Sequence, residues 1–562
     1  MNRVGCYVYT SDGIYPNCRG SYYMNIYAID TESYKGKPMC FQFDDGKEQK
    51  IIFVNEGDVT ETFLNYLEKI KGSKSLTQNN IIFAHNLMYD MCMLFYKHIS
   101  KMIEEEKNKG EFKFKINGWK IQGFLFGDSE YIHLKKGRIA FEMIDCFQFF
   151  KMSLNEASRK LLNMKKENPP KNIGKKIFTH QNKKFVKYAL RDVYLTREIG
   201  KLINDIHNRY NVRQSISISQ LAERIFRHKF LRKPIPACPH EIVGPALESY
   251  HGGKNGFYVP KGLYKDVYSY DIVSAYPYAM RELPDFSEGD YYEVNKYEQG
   301  YVGIYQVTGN VKFCLYPIIY DINFKPLFDD IQKVWITSYE LEEAIYSDEI
   351  NIKKIKGYIF VPKSKKEKTP LQEFVDHFWR LKNETDKLSP YYQFYKIILN
   401  SLYGKFIQMR KRPSNTKEYK CDEWCLGQMF HPFIATLITG KVRAMMHHLE
   451  HQHQSIHTST DSIMTVKPIK EKYLSDDLGG LKFVHKGDCL LLRNKLYLHF
   501  DSEGNIKRYA LHGFQGTPEK LWEMWLKGIW EYEFEKMNLP LESRVQNLKP
   551  FIIEKRKASL HL

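Results

Sequence analysis

The stretch Tyr268-Ser-Tyr-Asp-Ile-Val-Ser-Ala-Tyr-Pro-Tyr-Ala-Met280 constrains this chain more than any other. Its apolar and aromatic run predicts a buried strand. The strand carries Asp271, a carboxylate that an apolar setting does not hold without a charged partner. Ser274, Tyr276 and Pro277 then turn the chain. A strand that delivers a carboxylate to a tight turn suits a divalent metal beside a phosphate. The plain alternative is an edge strand whose Asp caps a turn, and the rest of the chain has to decide between the two.

Three earlier segments supply further carboxylates, two at the ends of predicted strands and one on a predicted helix. Asn25-Ile-Tyr-Ala-Ile-Asp-Thr-Glu-Ser33 predicts a strand ending in Asp30 and Glu32. Alternate strand residues share a face, so both carboxylates can reach one metal. Ile81-Ile-Phe-Ala-His-Asn-Leu-Met-Tyr-Asp90 predicts an apolar strand, then a polar turn carrying His85, Asn86 and Asp90. Phe185 to Asp192 has helical spacing, with Tyr188 and Asp192 four apart on one face. Asp145, after the apolar run Ile139–Ile144, reads equally as a supporting acid or a strand-end cap. Lys160 reads as part of a solvated helix face.

Composition narrows the class. A chain of 562 residues predicts several domains. The formal charge of +18, from 84 Lys+Arg against 66 Asp+Glu, points to a polyanion such as nucleic acid. Forty Tyr and 35 Phe suit stacking on bases. The 10 Cys are scattered without a disulfide framework, which predicts a reducing compartment. No run of 18 apolar residues predicts a membrane span, and no signal-peptide core follows Met1. The expectation is a soluble, cytoplasmic monomer with no secretion signal.

The second half supplies further parts. Ser249-Tyr-His-Gly-Gly-Lys-Asn-Gly256 is a glycine-rich turn in which Gly252 and Gly253 allow close backbone approach to a phosphate. Residues from about 285 to 370 read as β-rich, with a helix over Ser338–Tyr346 and a basic run at Lys363, Lys365, Lys366 and Lys368. Thr369-Pro370 and Ser389-Pro390 each read as an N-cap with a first-turn proline. Lys396, Asn400 and Tyr403 fall at helical spacing, a stripe that suits a bound nucleotide. Residues 407–430 read as a polar loop with Arg410, Lys411, Arg412, Pro413, Lys417 and Lys420. Cys421 and Cys425 there have poor zinc spacing, although His447, His448, His451, His453 and His457 follow. Ser455 to Met464 predicts a hairpin with Asp461 at its turn.

In this order the motifs resemble those of family B DNA polymerases. The first set is similar to the three exonuclease motifs of DEDD-type proofreading enzymes. That resemblance implies that Asp30, Glu32, Asp90 and Asp192 hold two metals and that Tyr188 orients the attacking water. It also implies that Ser33, His85, Asn86 and Tyr89 hold an unpaired 3′ end. Tyr250, Gly252 and Gly253 match the Tyr-x-Gly-Gly junction motif, which contacts DNA. Asp271 to Pro277 looks like motif A, with Asp271 on both metals and Tyr276 selecting dNTP over NTP. Lys396-Ile-Ile-Leu-Asn-Ser-Leu-Tyr-Gly404 matches motif B at every fixed position. The match implies that Lys396, Asn400 and Tyr403 bind the nucleotide and that Ser401 and Gly404 touch the template. Arg380 or Lys382 would add a phosphate contact. Ser455 to Met464 looks like motif C, with Ser459 where the family carries an Asp and Asp461 kept. Lys495 and Tyr497 resemble the Lys-x-Tyr motif that holds the primer.

The resemblance implies an α/β multidomain fold, an RNase H-like 3′–5′ exonuclease domain joined to a right-hand polymerase of palm, fingers and thumb. The expected boundaries are 1–210 for the exonuclease, 211–284 and 431–513 for the palm, 285–371 for a terminal-protein insertion, 372–406 for the fingers, 407–430 for a second insertion and 514–562 for a small thumb. It implies template-directed DNA synthesis with proofreading, and the short length suits the protein-primed subgroup of phages and linear plasmids. Two Mg2+ or Mn2+ ions per active site are expected. Expected partners are primer-template DNA, dNTPs, a terminal protein and a single-strand DNA-binding protein. The alternatives are an exonuclease or DNA-binding protein with a degenerate polymerase site, for which Ser459 argues, and a DNA-primed family B enzyme.

Overall fold

The computed structural model describes residues 2–4, 24–54, 59–70, 79–109, 111–124, 130–363, 368–415, 420–537 and 553–560. Lys365, Lys366 and Lys417 lie outside them, as do the side chains of Arg410, Lys411, Arg412, Pro413, Lys420 and Cys421.

The first half builds an eight-stranded mixed sheet around Met24–Tyr34, the strand of Asp30 and Glu32. Met24–Tyr34 runs parallel to Asn79–Ala84, which runs parallel to Ile139–Asp145; the other pairings are antiparallel. The three parallel strands therefore end on one side of the sheet, where ligand sites gather in sheets of this kind. Both faces are covered: Ile81, Phe83 and Ile144 face one core, Ile82 and Met143 the other. The helix Lys183–Tyr210 crosses the first face. It approaches closely because residue 200 is glycine: a Cβ there would lie 2.3 Å from Phe83 Cδ2.

The core does not stop at this sheet. It runs on through Phe149, Phe150 and Phe394 to Tyr270, Tyr276 and Ile463. Phe150 meets Phe394 edge to face at 4.7 Å between ring centroids. The second sheet is antiparallel and seven-stranded, in the order Lys254–Phe257, His457–Thr460, Ser462–Thr465, Gly262–Ile272, Leu481–Arg493, Leu496–Phe500, Ile506–Leu511. The stretch Tyr268–Ile272 is thus a central strand, not an edge strand.

A five-stranded antiparallel sheet is built from Asn2–Val4 and, between Ile272 and His457 in sequence, from Gly289–Val294, Ile350–Pro362, Val302–Val311 and Asp329–Thr337. The helix Ser338–Tyr346 follows, opened by a capping box between Thr337 and Glu340. The long helix Pro432–His453 packs against this sheet and against the second sheet, so it is buried on most sides.

Local chemistry sets several ends. Thr369 Oγ1 accepts from Gln372 N at the start of Pro370–Glu384, and Ser389 Oγ accepts from Tyr391 N at the start of Pro390–Leu399.

Three local expectations are corrected. Asp90 sits in the first turn of the helix Leu87–Leu94, not in the preceding turn, because Asn86 takes a left-handed conformation (φ 72°) and starts that helix at once. The helix bearing Lys396 ends at Leu399, and Tyr403 opens a separate 3-10 turn, so Lys396, Asn400 and Tyr403 are not one helical stripe. Asn400 Nδ2 turns back to the Lys396 carbonyl at 2.7 Å, which competes with helical pairing. Residues 407–430 are not a plain loop: Met409–Asn415 pairs with Lys420–Leu426 as a hairpin. After residue 513 the chain forms the helix Pro518–Lys527 and a pairing of Glu531–Met537 with Ile553–Ser559.

Candidate active sites

The first site lies at the ends of the parallel strands. Asp30 and Glu32 arrive from the strand, Asp90 from the helix after Asn86, and Tyr188 and Asp192 from the long helix. Burial, with Asp192 alongside, pushes Asp30 up to about 7. Glu32 rises well above the usual carboxylate range through burial and the charges of Asp30 and Asp192. Asp90 rises likewise, through burial and Asp30. Thr31 donates to Asp90 Oδ1 at 2.7 Å, which fixes that carboxyl against the strand.

Mutual repulsion shows that the four acids share one space, although no three of them bring one oxygen each within 4.8 Å of one another. Lys166 offsets some of this charge: its Nζ is 2.7 Å from Asp192 Oδ2 and 5.2 Å from the Tyr188 ring centroid. Sequence reading missed Lys166, which lies in a segment without periodic pattern. Lys160, the lysine weighed instead, pairs with Glu156 at 2.7 Å on an exposed helix face.

Around this centre Tyr89 donates to Ser33 Oγ at 2.7 Å. His85 Nε2 bonds to the Met152 carbonyl at 2.9 Å, and burial lowers its pKa to about 4, so the ring is neutral. Asp145 accepts from the backbone N–H of Asn86 at 2.8 Å and of Phe147 at 2.9 Å. It is therefore the strand-end cap that holds the left-handed turn at Asn86, and burial pushes it up to about 6.

The second site joins two neighbouring strands. Asp271 stands opposite Ser462, and Asp461 occupies the turn between His457–Thr460 and Ser462–Thr465. Thr460 is left-handed there (φ 62°), and Ile272 N donates to the Asp461 carbonyl at 2.8 Å. Burial and the Asp271 charge push Asp461 up to about 6, while Lys495 pulls it down. Burial also raises Asp271, opposed by Arg508, whose Nη2 lies 3.6 Å from Asp271 Oδ2. Ser459 pairs with Asn255 on one side and Ser462 on the other, one residue from the left-handed turn.

Aromatic rings wall this site. Tyr276 stacks on Tyr403, with centroids 4.5 Å apart and planes 13° from parallel. Tyr250 lies near both, and Tyr497 meets the edge of His457 at 5.5 Å. Gly253 is wedged beneath: a Cβ there would come 2.7 Å from the Tyr276 hydroxyl and 2.6 Å from Thr460 Cγ2. Gly252 and Gly404 face open space, so nothing in the chain itself requires glycine at either position. Arg443, wholly buried, bonds to the His251 and Gly252 carbonyls and holds the glycine turn in place.

A basic group completes the surroundings. Burial, then Lys396 and Lys482, lower Lys382 to about 8, which places three ammonium groups near one another. Arg380 instead pairs with Glu384 at 3.3 Å. Lys482, Arg508 and Arg443 were not legible as site residues, because each gains its place from strand or helix packing rather than from a local motif.

Both sites fit divalent metal. Asp192 Oδ1 and Asp271 Oδ1 are buried without a hydrogen-bond partner among the described residues. Clustered carboxylates with raised pKa values lack positive charge, and hard oxygen donors of this kind suit Mg2+ or Mn2+.

The chain matches the family model described as "DNA polymerase type B, organellar and viral" over residues 182–423. It is 23% identical to the DNA polymerase of Acidianus bottle-shaped virus (isolate Italy/Pozzuoli), across 95% of this chain and 82% of that protein. It is 25% identical to the DNA-directed DNA polymerase of Enterobacteria phage PRD1, across 48% of this chain but only 53% of that protein. Among solved structures, Phi29 DNA polymerase complexed with primer-template DNA and incoming nucleotide substrates superposes with a TM-score of 0.68 at 16% identity. That match covers 96% of this chain and 100% of the other.

Proposed function

We propose that this chain, which resembles the protein-primed family B DNA polymerases and has a multidomain family B polymerase fold, is a template-directed DNA polymerase that proofreads its product. One observation carries the reading: two carboxylate centres with raised pKa values stand on two different sheets, each with its own basic and aromatic neighbours. One centre serves synthesis and the other 3′–5′ degradation.

At the synthetic centre, Asp271 and Asp461 would hold Mg2+ or Mn2+, whose bound charge stabilises the phosphoryl group during in-line attack. Lys396, Lys382 and Lys482 neutralise the incoming triphosphate. Tyr276, braced by Tyr403, lies under the deoxyribose and excludes a 2′-hydroxyl. Asn400, Ser401 and Gly404 border the nascent pair and the template. Tyr250, Gly252 and Gly253, held by Arg443, track the phosphate backbone, and Lys495 and Tyr497 hold the primer strand.

At the other centre Asp30, Glu32, Asp90 and Asp192 would hold the metals. Tyr188, beside Glu32 and Asp192, positions the attacking water, while Lys166 faces the scissile phosphate. Tyr89, hydrogen-bonded to Ser33, with Asn86 and neutral His85, shapes the pocket for an unpaired end.

Initiation follows by letting a hydroxyl of a terminal protein replace the primer 3′-OH. The five-stranded sheet, four of whose strands lie between Asp271 and Lys396, offers a docking platform for it, and the hairpin Met409–Leu426 suits separation of the downstream strand. Extension and degradation of a labelled primer by Asp30→Ala/Glu32→Ala and by Asp271→Asn/Asp461→Asn test the two-centre reading. The first pair is expected to lose degradation alone and the second synthesis alone. Loss of both activities in either folded protein overturns it. A labelled protein–nucleotide adduct formed with a partner protein tests priming.

A further inference from the structure

Away from both carboxylate centres, Cys314, His447 and His451 each bring one ligand atom within 4.8 Å of the others. His447 and His451 lie four apart on Pro432–His453, so their rings share a face, with centroids 4.4 Å apart. Cys314 comes from the segment after the strand Val302–Val311, 137 residues from His451 in sequence. Its Sγ is 3.4 Å from His451 Nε2.

A buried carboxylate lies beside His447. Glu349, just before Ile350–Pro362, is 2% exposed. Its Oε1 accepts from Ile318 N at 3.0 Å, but its Oε2 has no hydrogen-bond partner among the described residues. That orphaned oxygen lies 3.3 Å from His447 Nε2. His447 is 0% exposed, and neither of its ring nitrogens has a partner in hydrogen-bond geometry among the described residues. Its Nδ1 is 3.5 Å from Glu343 Oε2.

An imidazolium between two carboxylates is the plain alternative. Charge-assisted bonds of that kind close to about 2.7–2.9 Å, and both separations here are longer. A tetrahedral zinc with N, O and S ligands at about 2.0–2.3 Å sets neighbouring ligand atoms about 3.3–3.7 Å apart. The Cys314–His451 separation, 3.4 Å, is an edge of that size, and Glu349 stands outside the group of mutually close ligand atoms. Nearby, Lys254 Nζ pairs with Glu450 Oε2 at 2.5 Å, so that buried cation is already neutralised.

We infer that Cys314, His447 and His451 form a three-residue zinc site that fastens the five-stranded sheet to the helix Pro432–His453. A thiolate with two imidazoles selects Zn2+ over Mg2+ or Ca2+, which prefer oxygen. The carboxylate of Glu343 then orients the ring nitrogen of His447 that faces away from the metal. The sheet carries the platform proposed for the priming partner, and the helix leads into the Asp461 hairpin. The zinc would therefore set the distance between platform and hairpin. Sequence spacing alone does not mark Cys314, because the bridge between sheet and helix is made only in three dimensions.

The test is cobalt substitution in the untagged full chain, because thiolate-to-cobalt charge transfer cannot arise from the carboxylate centres. The expected result is a charge-transfer band saturating at one cobalt per chain and bleached by one zinc. Cys314→Ser removes the band, and His451→Ala weakens cobalt binding at least tenfold. Chelation is expected to lower the unfolding temperature of the parent but not of Cys314→Ser. Cys314 is partly exposed and His451 exposed, so both variants keep the fold. Absence of the band in the parent overturns the inference, as does a band that persists unchanged in Cys314→Ser.

Discussion

Arg443 Nε donates to Glu340 Oε1 at 2.7 Å, with both side chains removed from solvent. The pair joins the helix Pro432–His453 to the capped start of Ser338–Tyr346, and the same guanidinium holds the glycine turn beside Tyr276. Removing one member leaves the other charge buried, a cost of about 3–5 kcal/mol. Arg443→Met is expected to lower the unfolding midpoint by that amount and to abolish synthesis. Arg443→Met/Glu340→Leu is expected to recover most of the stability but not the synthesis, because the His251 and Gly252 carbonyls still lack their donor. Denaturant unfolding and primer extension on both proteins measure the two effects.

The acids of the first centre make stability depend on pH with a definite sign. Asp30 is raised to about 7, and Glu32 and Asp90 lie well above their ordinary range. The folded state therefore holds these protons more tightly than the unfolded chain. Their stabilising contribution is full below the ordinary aspartate pKa and is lost as pH rises through about 7. With a chelator present, thermal unfolding followed at this sheet is expected at higher temperature near pH 6 than near pH 8. Asp30→Asn/Glu32→Gln is expected to flatten the dependence, and added Mg2+ to raise the high-pH value. An opposite slope that the double variant leaves unchanged would show that these groups are not the ones titrating.

Under the proposed function, the Tyr276–Tyr403 stack ties sugar discrimination to two rings. Tyr276→Val is expected to admit ribonucleotides by at least tenfold in relative kcat/KM. Tyr403→Leu, which removes the brace but not the gate, is expected to loosen discrimination less and to raise KM for dNTP. Single-nucleotide insertion with paired dNTP and NTP substrates measures both, and unchanged ratios would remove the gate from Tyr276.

Ser459 places a hydroxyl beside the Asp461 turn where a carboxylate would add charge. Two raised carboxylates, Asp271 and Asp461, would remain to hold the proposed metals. Ser459→Asp is expected to lower the Mg2+ concentration needed for half-maximal extension severalfold in an Asp30→Ala/Glu32→Ala background. Synthesis that appears only in the Asp variant would mark the natural site as degenerate, and superimposed titrations would show that charge at this position is immaterial.

Much was legible because it is local. Strands that carry Asp30 and Asp271, caps at Thr369 and Ser389, and the turn carrying Asp461 follow from side-chain alternation and from hydrogen bonds within a few residues. The tertiary structure decided what depends on partners far along the chain. It brought Lys166 rather than Lys160 to Asp192, grouped Lys382 rather than Arg380 with Lys396, and set Arg508 beside Asp271. It ended the helix at Leu399 so that Tyr403 could stack on Tyr276, and it joined Cys314 to two histidines on a distant helix. Side-chain type and short-range geometry are written in neighbouring residues, whereas the neutralisation of a buried charge is settled only when separate elements pack and water is excluded.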